Sequence, residues 1–360
     1  MTKVKAAICR AFGAPLTIED VELRAPVAGE IEVALEAVAI CHSDISYADG
    51  AWGGPLPAVY GHEAAGRITA IGPGVTGLRE GDRVVVTLIR ACRTCAQCGS
   101  GRPTLCEDPT SDAPAPMTLP DGDPLWAAMN CGAFAERVVV DQSQAVVVGD
   151  DLAPGPAALL ACGVVTGVGA VVNSAGLRPG EDALVIGAGG VGLNAIQGAR
   201  IAGARRIVAV DLAPEKLDAA RQFGATDTVL ATDPAPWQRV RAAIGRGVDA
   251  VFVSVGVAAA YDSAPNYLAP GGRVVMVGMP ASGKVSTYEA GNIAAAGQAM
   301  IGSKMGDTVI RRDIPWLVDL YGQGRLKLDE LVSRQWRLEE INEAIADTKS
   351  GGARRNVIVF

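Results

Sequence analysis

Leu184-Val185-Ile186-Gly187-Ala188-Gly189-Gly190-Val191-Gly192 is the stretch on which the reading of the fold turns. An apolar strand runs into G-x-G-x-x-G and then into a helix-compatible run ending at Gly203. Gly187 permits a tight turn, Gly189 lets backbone approach a pyrophosphate, and Gly192 lets the helix pack on the strand, with the helix N-terminus facing the phosphates. The next apolar strand, Arg206-Ile207-Val208-Ala209-Val210, ends in Asp211, about twenty residues past the glycines, where the dinucleotide fingerprint requires an acid. Asp211 would accept hydrogen bonds from the adenosine ribose hydroxyls and repel a 2′-phosphate, which favours NAD over NADP. The candidate coenzyme set is therefore Gly187, Gly189, Gly190, Val191, Gly192 and Asp211. Without the flanking strands the same residues would read as a glycine-rich turn beside a surface aspartate.

The strand, helix, strand pattern persists from about residue 180 to 303. Pro214 to Phe223 reads as a helix, and Thr228-Val229-Leu230, Val248 to Val255 and Arg273 to Gly278 read as strands, which predicts a doubly wound parallel sheet. Up to about residue 150, short apolar alternations are broken by glycine and proline, as in Ile31-Glu32-Val33-Ala34-Leu35 and Arg83-Val84-Val85-Val86. They predict a barrel-like all-β body. A helix-like Leu338 to Lys349 and a strand Asn356 to Phe360 come last. Residues 107–124 hold Pro109, Pro114, Pro116, Pro120 and Pro124 among aspartates that include Asp112, and the expectation there is a long loop without regular structure.

Only two histidines occur in 360 residues, and both stand among potential metal ligands: Cys41-His42-Ser43-Asp44, then Gly61-His62-Glu63. With Cys162, Cys41 and His62 could supply the three protein ligands of a catalytic zinc whose fourth position stays open. Read alone, these residues are equally a satisfied core histidine and two small buried thiols. Cys92-Arg93-Thr94-Cys95-Ala96-Gln97-Cys98, followed by Cys106, is a C-x2-C-x2-C-x7-C run able to close four thiolates around one tetrahedral ion. A redox pair needs two cysteines, and four within 15 residues point to metal instead. Such a site keeps no open position and is structural. Cys9 and Cys131 have no evident partners and are read as free thiols.

In their order along the chain, the Cys41–His62 pair, the Cys92–Cys106 run and then the glycine fingerprint, the three constellations resemble the zinc-dependent alcohol dehydrogenases of the medium-chain dehydrogenase/reductase superfamily, over essentially the whole chain. The resemblance implies an α/β protein with a GroES-like β-barrel catalytic domain and a Rossmann coenzyme domain. Residues 1–163 would form the first, with a zinc lobe at about 92–106; residues 164–303 would bind NAD; residues 304–360 would return to the catalytic domain. Two zinc ions per subunit are implied. Cys41, His62 and Cys162 bind the catalytic one, with Glu63 beside it as an occasional ligand, and Cys92, Cys95, Cys98 and Cys106 hold the structural one. Asp44 orients the ligand histidine and fixes its tautomer. Ser43 takes the substrate proton, Thr166 packs near the nicotinamide, His42 and Arg355 lie against the pyrophosphate, and Lys216 meets a ribose. In many members a histidine five residues beyond the first cysteine ligand passes the proton to solvent; here that position is Ser46.

The pocket positions implied by the resemblance are Trp52, Leu88, Ala128, Met129 and Met279, an apolar set without a charged anchor. They favour a hydrophobic primary alcohol, and the small Ala128 leaves room for an aromatic or allylic one. The glutathione-dependent formaldehyde dehydrogenase class has an acid at the place of Trp52 and an arginine near Thr110, both absent here. The expected reaction is NAD-linked interconversion of alcohol and aldehyde by hydride transfer. An aldehyde reductase in the physiological direction is one alternative, and a non-catalytic nucleotide-binding redox sensor is another. The intact ligand set argues against the sensor.

Composition sets outer limits. At 49% apolar and 20% charged, the chain can bury substantial cores, and its length suggests two domains. A net charge of −7 without a basic block argues against nucleic acid as a partner. Met1-Thr2-Lys3-Val4-Lys5 leads into no apolar run of signal-peptide type. Leu152 to Leu177 carries no charge and has the length of a membrane span, but it contains Pro154, Pro156 and Cys162, so a buried active-site helix is expected and no membrane partner. Reduced or metal-bound thiols imply a cytoplasmic location. Many dimeric members of the family retain a long loop like 107–124, which favours a homodimer over a tetramer.

Overall fold

The computed structural model describes residues 1–110 and 113–360; Asp112, within the expected loop, lies outside the described residues. Strands Thr2–Cys9, Thr17–Leu23, Met117–Thr118, Pro124–Ala127 and Ala58–Val59 close a five-stranded barrel. Val4, Ala6, Ile8, Val21 and Leu23 are buried in the core of this body. Closure comes from the proline-rich stretch, which corrects the expectation that 107–124 lacks regular structure. Met117 and Thr118 pair with Leu23 and Glu22 on one side and with Leu125 and Pro124 on the other. Met117 and Leu125 are buried and supply the apolar anchor. Pro124, which has no N–H, stands first in its strand, where proline is tolerated.

A seven-stranded sheet adjoins in sequence. Its order is Ala145–Val147, Arg83–Thr87, Glu63–Ile71, Glu30–Ala39, Arg355–Val359 and Val332–Trp336, and Arg137–Asp141 also pairs with Glu30–Ala39. The strand Glu63–Ile71 begins immediately after His62, and its first residue is held between Thr87 and Ala39. That ladder fixes where the His62-Glu63 pair stands.

Downstream, a six-stranded parallel sheet has the order Asp227–Leu230, Arg206–Asp211, Asp182–Ile186, Val248–Val253, Leu268–Met276, Ala299–Gly302. The order reverses beside Asp182–Ile186, the switch point outside whose carboxyl end dinucleotides bind. The chain divides into two compact units, Met1–Cys162 with Val309–Phe360, and Gly163–Thr308. The second runs past 303, the end expected from the sequence, because Gly306 lies against Gly169 and Thr308 Oγ1 donates to Val165 O at 3.3 Å. The apolar run Pro154–Ser174 is helical throughout, and 94% of its most hydrophobic window is buried in the protein, as in a core helix. Two of its turns are π-helical, Leu160–Val164 and Ala170–Ser174, a geometry that recurs at functional sites; Cys162 lies in the first.

Gly66 marks the tightest point of the mixed sheet. It pairs with Leu35 beside a register shift, and a Cβ there would stand 2.1 Å from Ala34 O, a backbone atom that cannot swing away. Gly66→Ala is expected to cost roughly 1–3 kcal/mol by overpacking and to lower the melting temperature by several degrees. Gly291, in the helix Ala290–Ala295, has nothing within 4 Å of its Cβ position, so Gly291→Ala should be neutral or stabilising. Equal melting temperatures for the two variants would contradict this account of the sheet.

Candidate functional site

Cys41 caps the short helix His42–Ala48, and Asp44 in its first turn reaches back. Asp44 Oδ2 accepts from Cys41 N at 3.0 Å, while Oδ1 accepts from Gly61 N at 2.9 Å and lies 2.9 Å from His62 Nδ1. With Nδ1 donating to this carboxylate, Nε2 carries the imidazole lone pair. That nitrogen is buried and makes no hydrogen bond. Cys41, His62, Glu63 and Cys162 each bring a ligand atom, all within 4.8 Å of one another and all four residues buried. Both Glu63 carboxylate oxygens lack hydrogen bonds, and Arg355 Nη1 lies 3.4 Å from Oε1. Burial pushes the Glu63 carboxyl up to about 8, against the pull of Arg355. A hydrogen bond from Cys162 holds the Cys41 thiol well below its usual range, helped by His62, and the same pairing with burial pushes Cys162 up. Two sulfurs, an imidazole nitrogen without a partner and an unbonded carboxylate are the donors of a closely held zinc ion, and the residues fit it.

The second group, Cys92, Cys95, Cys98 and Cys106, also has its four sulfurs within 4.8 Å. Cys92 Sγ and Cys98 Sγ are 4.0 Å apart, close to the roughly 3.8 Å that two sulfurs show around one tetrahedral zinc. Cys92 Sγ accepts from Thr94 Oγ1 at 3.5 Å and from Cys95 N at 3.3 Å, and Cys106 Sγ accepts from Cys92 N at 3.3 Å. Thr94 and the backbone donors hold the Cys92 thiol down at about 6, whereas burial pushes Cys98 up to about 12. Cys9 and Cys131 are buried outside both groups.

In the second unit Gly187 has φ +94°, and a Cβ there would meet Val255 Cγ1 at 2.4 Å. A Cβ on Gly192 would fall 1.8 Å from Gly187 O, whereas the Cβ position of Gly189 opens on empty space. Gly189 caps the helix Gly190–Ile201, so the opening lies at the unpaired N–H groups of Gly190, Val191 and Gly192, a cradle suited to a pyrophosphate. Asp211 Oδ2 accepts from Ala188 N at 2.7 Å and Oδ1 from Ala213 N at 3.1 Å. Lys216 follows on the helix Pro214–Phe223. Gly167 lies against Val191 O and Ala195 N, which sets its neighbour Thr166 beside the first turn of the fingerprint helix; Thr166 Oγ1 is 3.6 Å from Met305 Sδ.

The remaining candidates are distributed between the units. Trp52, Leu88, Ala128 and Met129 belong to the first, with Ala128 buried and the others half-buried. Met279 belongs to the second and is 64% exposed. His42 is exposed, Ser43 half-buried, and Arg355 buried against Glu63 and Ile40 O. Sequence reasoning missed the partners of Trp52: Tyr47 lies edge-on at 5.0 Å, and Tyr60 and Trp126 stand at 6.1 and 6.0 Å from Tyr47. The position of Tyr60 two residues before His62 was the available signal. Gln144, whose buried amide binds Thr87 O and Asn130 O, was missed as well; the Asp141-x-x-Gln144 capping box was the local signal available.

Residues 27–150 match the alcohol dehydrogenase GroES-like domain family, and residues 190–323 match the zinc-binding dehydrogenase family. The chain is 35% identical to the NDMA-dependent alcohol dehydrogenase of Amycolatopsis methanolica, over 99% of each chain. It is 31% identical to the S-(hydroxymethyl)glutathione dehydrogenase of Paracoccus denitrificans, over 99% of this chain and 100% of that one. The benzyl alcohol dehydrogenase of Acinetobacter calcoaceticus superposes with a TM-score of 0.94 at 30% identity, with full coverage of both chains. Motifs, donor sets, sheet order and these likenesses agree: the chain belongs to the zinc-dependent alcohol dehydrogenases of the medium-chain dehydrogenase/reductase superfamily, oxidoreductases that use zinc and a nicotinamide coenzyme on small alcohols and aldehydes.

Proposed function

We propose that this protein is an NAD-linked dehydrogenase of hydrophobic primary alcohols, aromatic or allylic ones included, with one catalytic and one structural zinc per subunit. The observation that carries the reading is the buried group of Cys41, His62, Glu63 and Cys162, with an unbonded imidazole nitrogen at its centre and Ser43 on the adjoining helix turn. When bound, zinc supplies Lewis acidity to the alcohol oxygen, and the nicotinamide accepts the hydride. Asp44 holds the Nδ1 proton of His62 and keeps the Nε2 lone pair turned to the ligand group. The Ser43 hydroxyl carries the substrate proton outward. Arg355 Nη1 lies 3.4 Å from Glu63 Oε1 beside the thiols, so the site's negative charge is opposed by one buried guanidinium. The apolar Leu88, Ala128 and Met129 provide no anchor for a polyol or hydroxy acid, and Trp52, standing where the glutathione-dependent class has an acid, argues against that substrate. The likeness to a benzyl alcohol dehydrogenase supports the aromatic option.

A second reading is favoured by the NDMA-dependent relative: turnover draws on NDMA or a like external acceptor and not on added NAD. Turnover of alcohol with NDMA and no added NAD separates the two. The assembly is proposed as a homodimer in the cytoplasm, where all eight cysteines remain free or metal-bound.

Elemental analysis of fully metallated protein should give two zinc ions per subunit, one for each donor group. Cys162→Ala should lose one ion and all alcohol turnover while staying folded; Cys98→Ala should lose the other and destabilise the lobe. A single ion in the unmodified protein contradicts the assignment. Coenzyme choice is checked by kcat/KM for NAD against NADP: NAD should win, and Asp211→Gly should shrink the ratio by roughly 10–100-fold, the worth of one to two charge-assisted hydrogen bonds. Comparable values in the unmodified enzyme would overturn the argument. Proton exit is the third test. His62 is committed to Asp44 and the metal group, and Ser46 stands where relatives place an imidazole, so neither serine titrates near neutrality. Ser46→His should raise hydride transfer from a deuterated alcohol near pH 7. An unchanged pH profile with normal coenzyme affinity would show that proton exit is not limited there.

A further inference from the structure

Met129 and Asn130 are consecutive non-glycine residues in the left-handed region, at φ 53° and 59°. Such a pair persists only where the surroundings over-determine it. Cys131 N and Gly132 N close the turn on Ala128 O, and one buried amide braces its far end. Gln144 Nε2 donates to Asn130 O at 3.0 Å and to Thr87 O at 2.9 Å, using both of its hydrogens, and approaches Cys131 Sγ at 3.5 Å. Its Oε1 accepts from Asp141 N at 3.2 Å. Every polar atom of the amide is engaged, and the residue is 1% exposed.

The two carbonyls that Gln144 joins belong to separate segments. Thr87 ends the strand Arg83–Thr87 and is paired with Glu63; Leu88 follows it. Asn130 lies in the turn Ala128–Asn130, next to Met129. Gln144 itself is held rigidly. The Asp141 side chain caps its turn, Ser143 Oγ accepts from Ala91 N at 3.0 Å, and Gln142 Oε1 accepts from Thr76 N at 3.1 Å.

We propose that Gln144 is a positioning residue for substrate specificity: it spans Thr87 and Asn130 and thereby fixes the separation of Leu88 from the Ala128–Met129 wall. This inference rests on the reading that Leu88, Ala128 and Met129 line the alcohol pocket. Without the amide, the left-handed turn loses the donor that holds its last carbonyl and relaxes. The pocket then widens or collapses, while the metal ligands, held by Asp44 and the strand ladder, stay in place.

Gln144→Met keeps the side-chain length and removes both donors together with the acceptor for Asp141 N. The measurement is kcat/KM for benzyl alcohol relative to ethanol, with zinc content and the NAD-induced rise in melting temperature as readouts that do not depend on turnover. The expected result is a loss of discrimination of roughly tenfold, mainly through KM, with zinc content and the NAD-induced shift unchanged. Met129→Ala is measured in parallel. If Met129→Ala alters the ratio and Gln144→Met does not, or lowers both alcohols equally, the positioning role is overturned and the pocket reading stands. If neither alters it, the pocket reading fails and this inference falls with it. Gln144→Asn, which keeps an amide too short to reach both carbonyls, gives the same reading should Gln144→Met fold poorly.

Discussion

The carboxylate of Asp44 receives three donors at once: the backbone N–H of Cys41, that of Gly61, and the His62 ring. A buried anion is tolerable only when hydrogen-bonded, and each of these bonds also satisfies a group on a segment that carries a candidate metal ligand. The two segments cannot drift apart without leaving a donor unmet. Gly61 is the piece that permits the approach: its φ is +92°, and a Cβ there would lie 2.6 Å from Phe134 N. From that turn the chain enters the strand Glu63–Ile71, whose pairing on both edges makes the metal group an extension of the sheet.

The two metal groups rest on different physics. The Cys41 group is buried at every residue and lies where apolar packing and the sheet already define the backbone. The Cys92 group has three half-exposed members, and the short helix Ala96–Gly99 beside it contains no buried residue. That lobe has little apolar surface to bury, so the N–H donors to sulfur, with the zinc ion proposed there, would act as its core.

Much of this was legible in the sequence, and the parts that were not have physical reasons. The glycine fingerprint, Asp211 and the four clustered cysteines declare themselves because their chemistry demands particular residues at short spacings. The strands of the parallel sheet and the helix Pro214–Phe223 follow from hydrophobic period. The barrel's closing strand was hidden: Met117 and Thr118 sit among prolines, and two paired residues are too short to show a period. Gln144 was hidden for another reason. Its local pattern, the Asp141-x-x-Gln144 capping box, announces only a turn, and the tertiary arrangement alone shows that its amide spans the carbonyls of two distant segments. Arg355 was expected at a pyrophosphate on resemblance alone; its pairing with Glu63 emerges only once the strand Arg355–Val359 lies beside Glu30–Ala39.

Asp211 stands at the end of its strand with both carboxylate oxygens engaged, one by Ala188 N in the glycine loop and the other by Ala213 N in the turn that follows. The side chain proposed to sort coenzymes is thus also a brace for the glycine loop. On the proposed coenzyme role, replacing Asp211 to admit a phosphorylated coenzyme would remove the repulsion and the brace together, a fitness valley for any such change. A productive path would need a second residue to take over the Ala188 contact before, or along with, the loss of the acid.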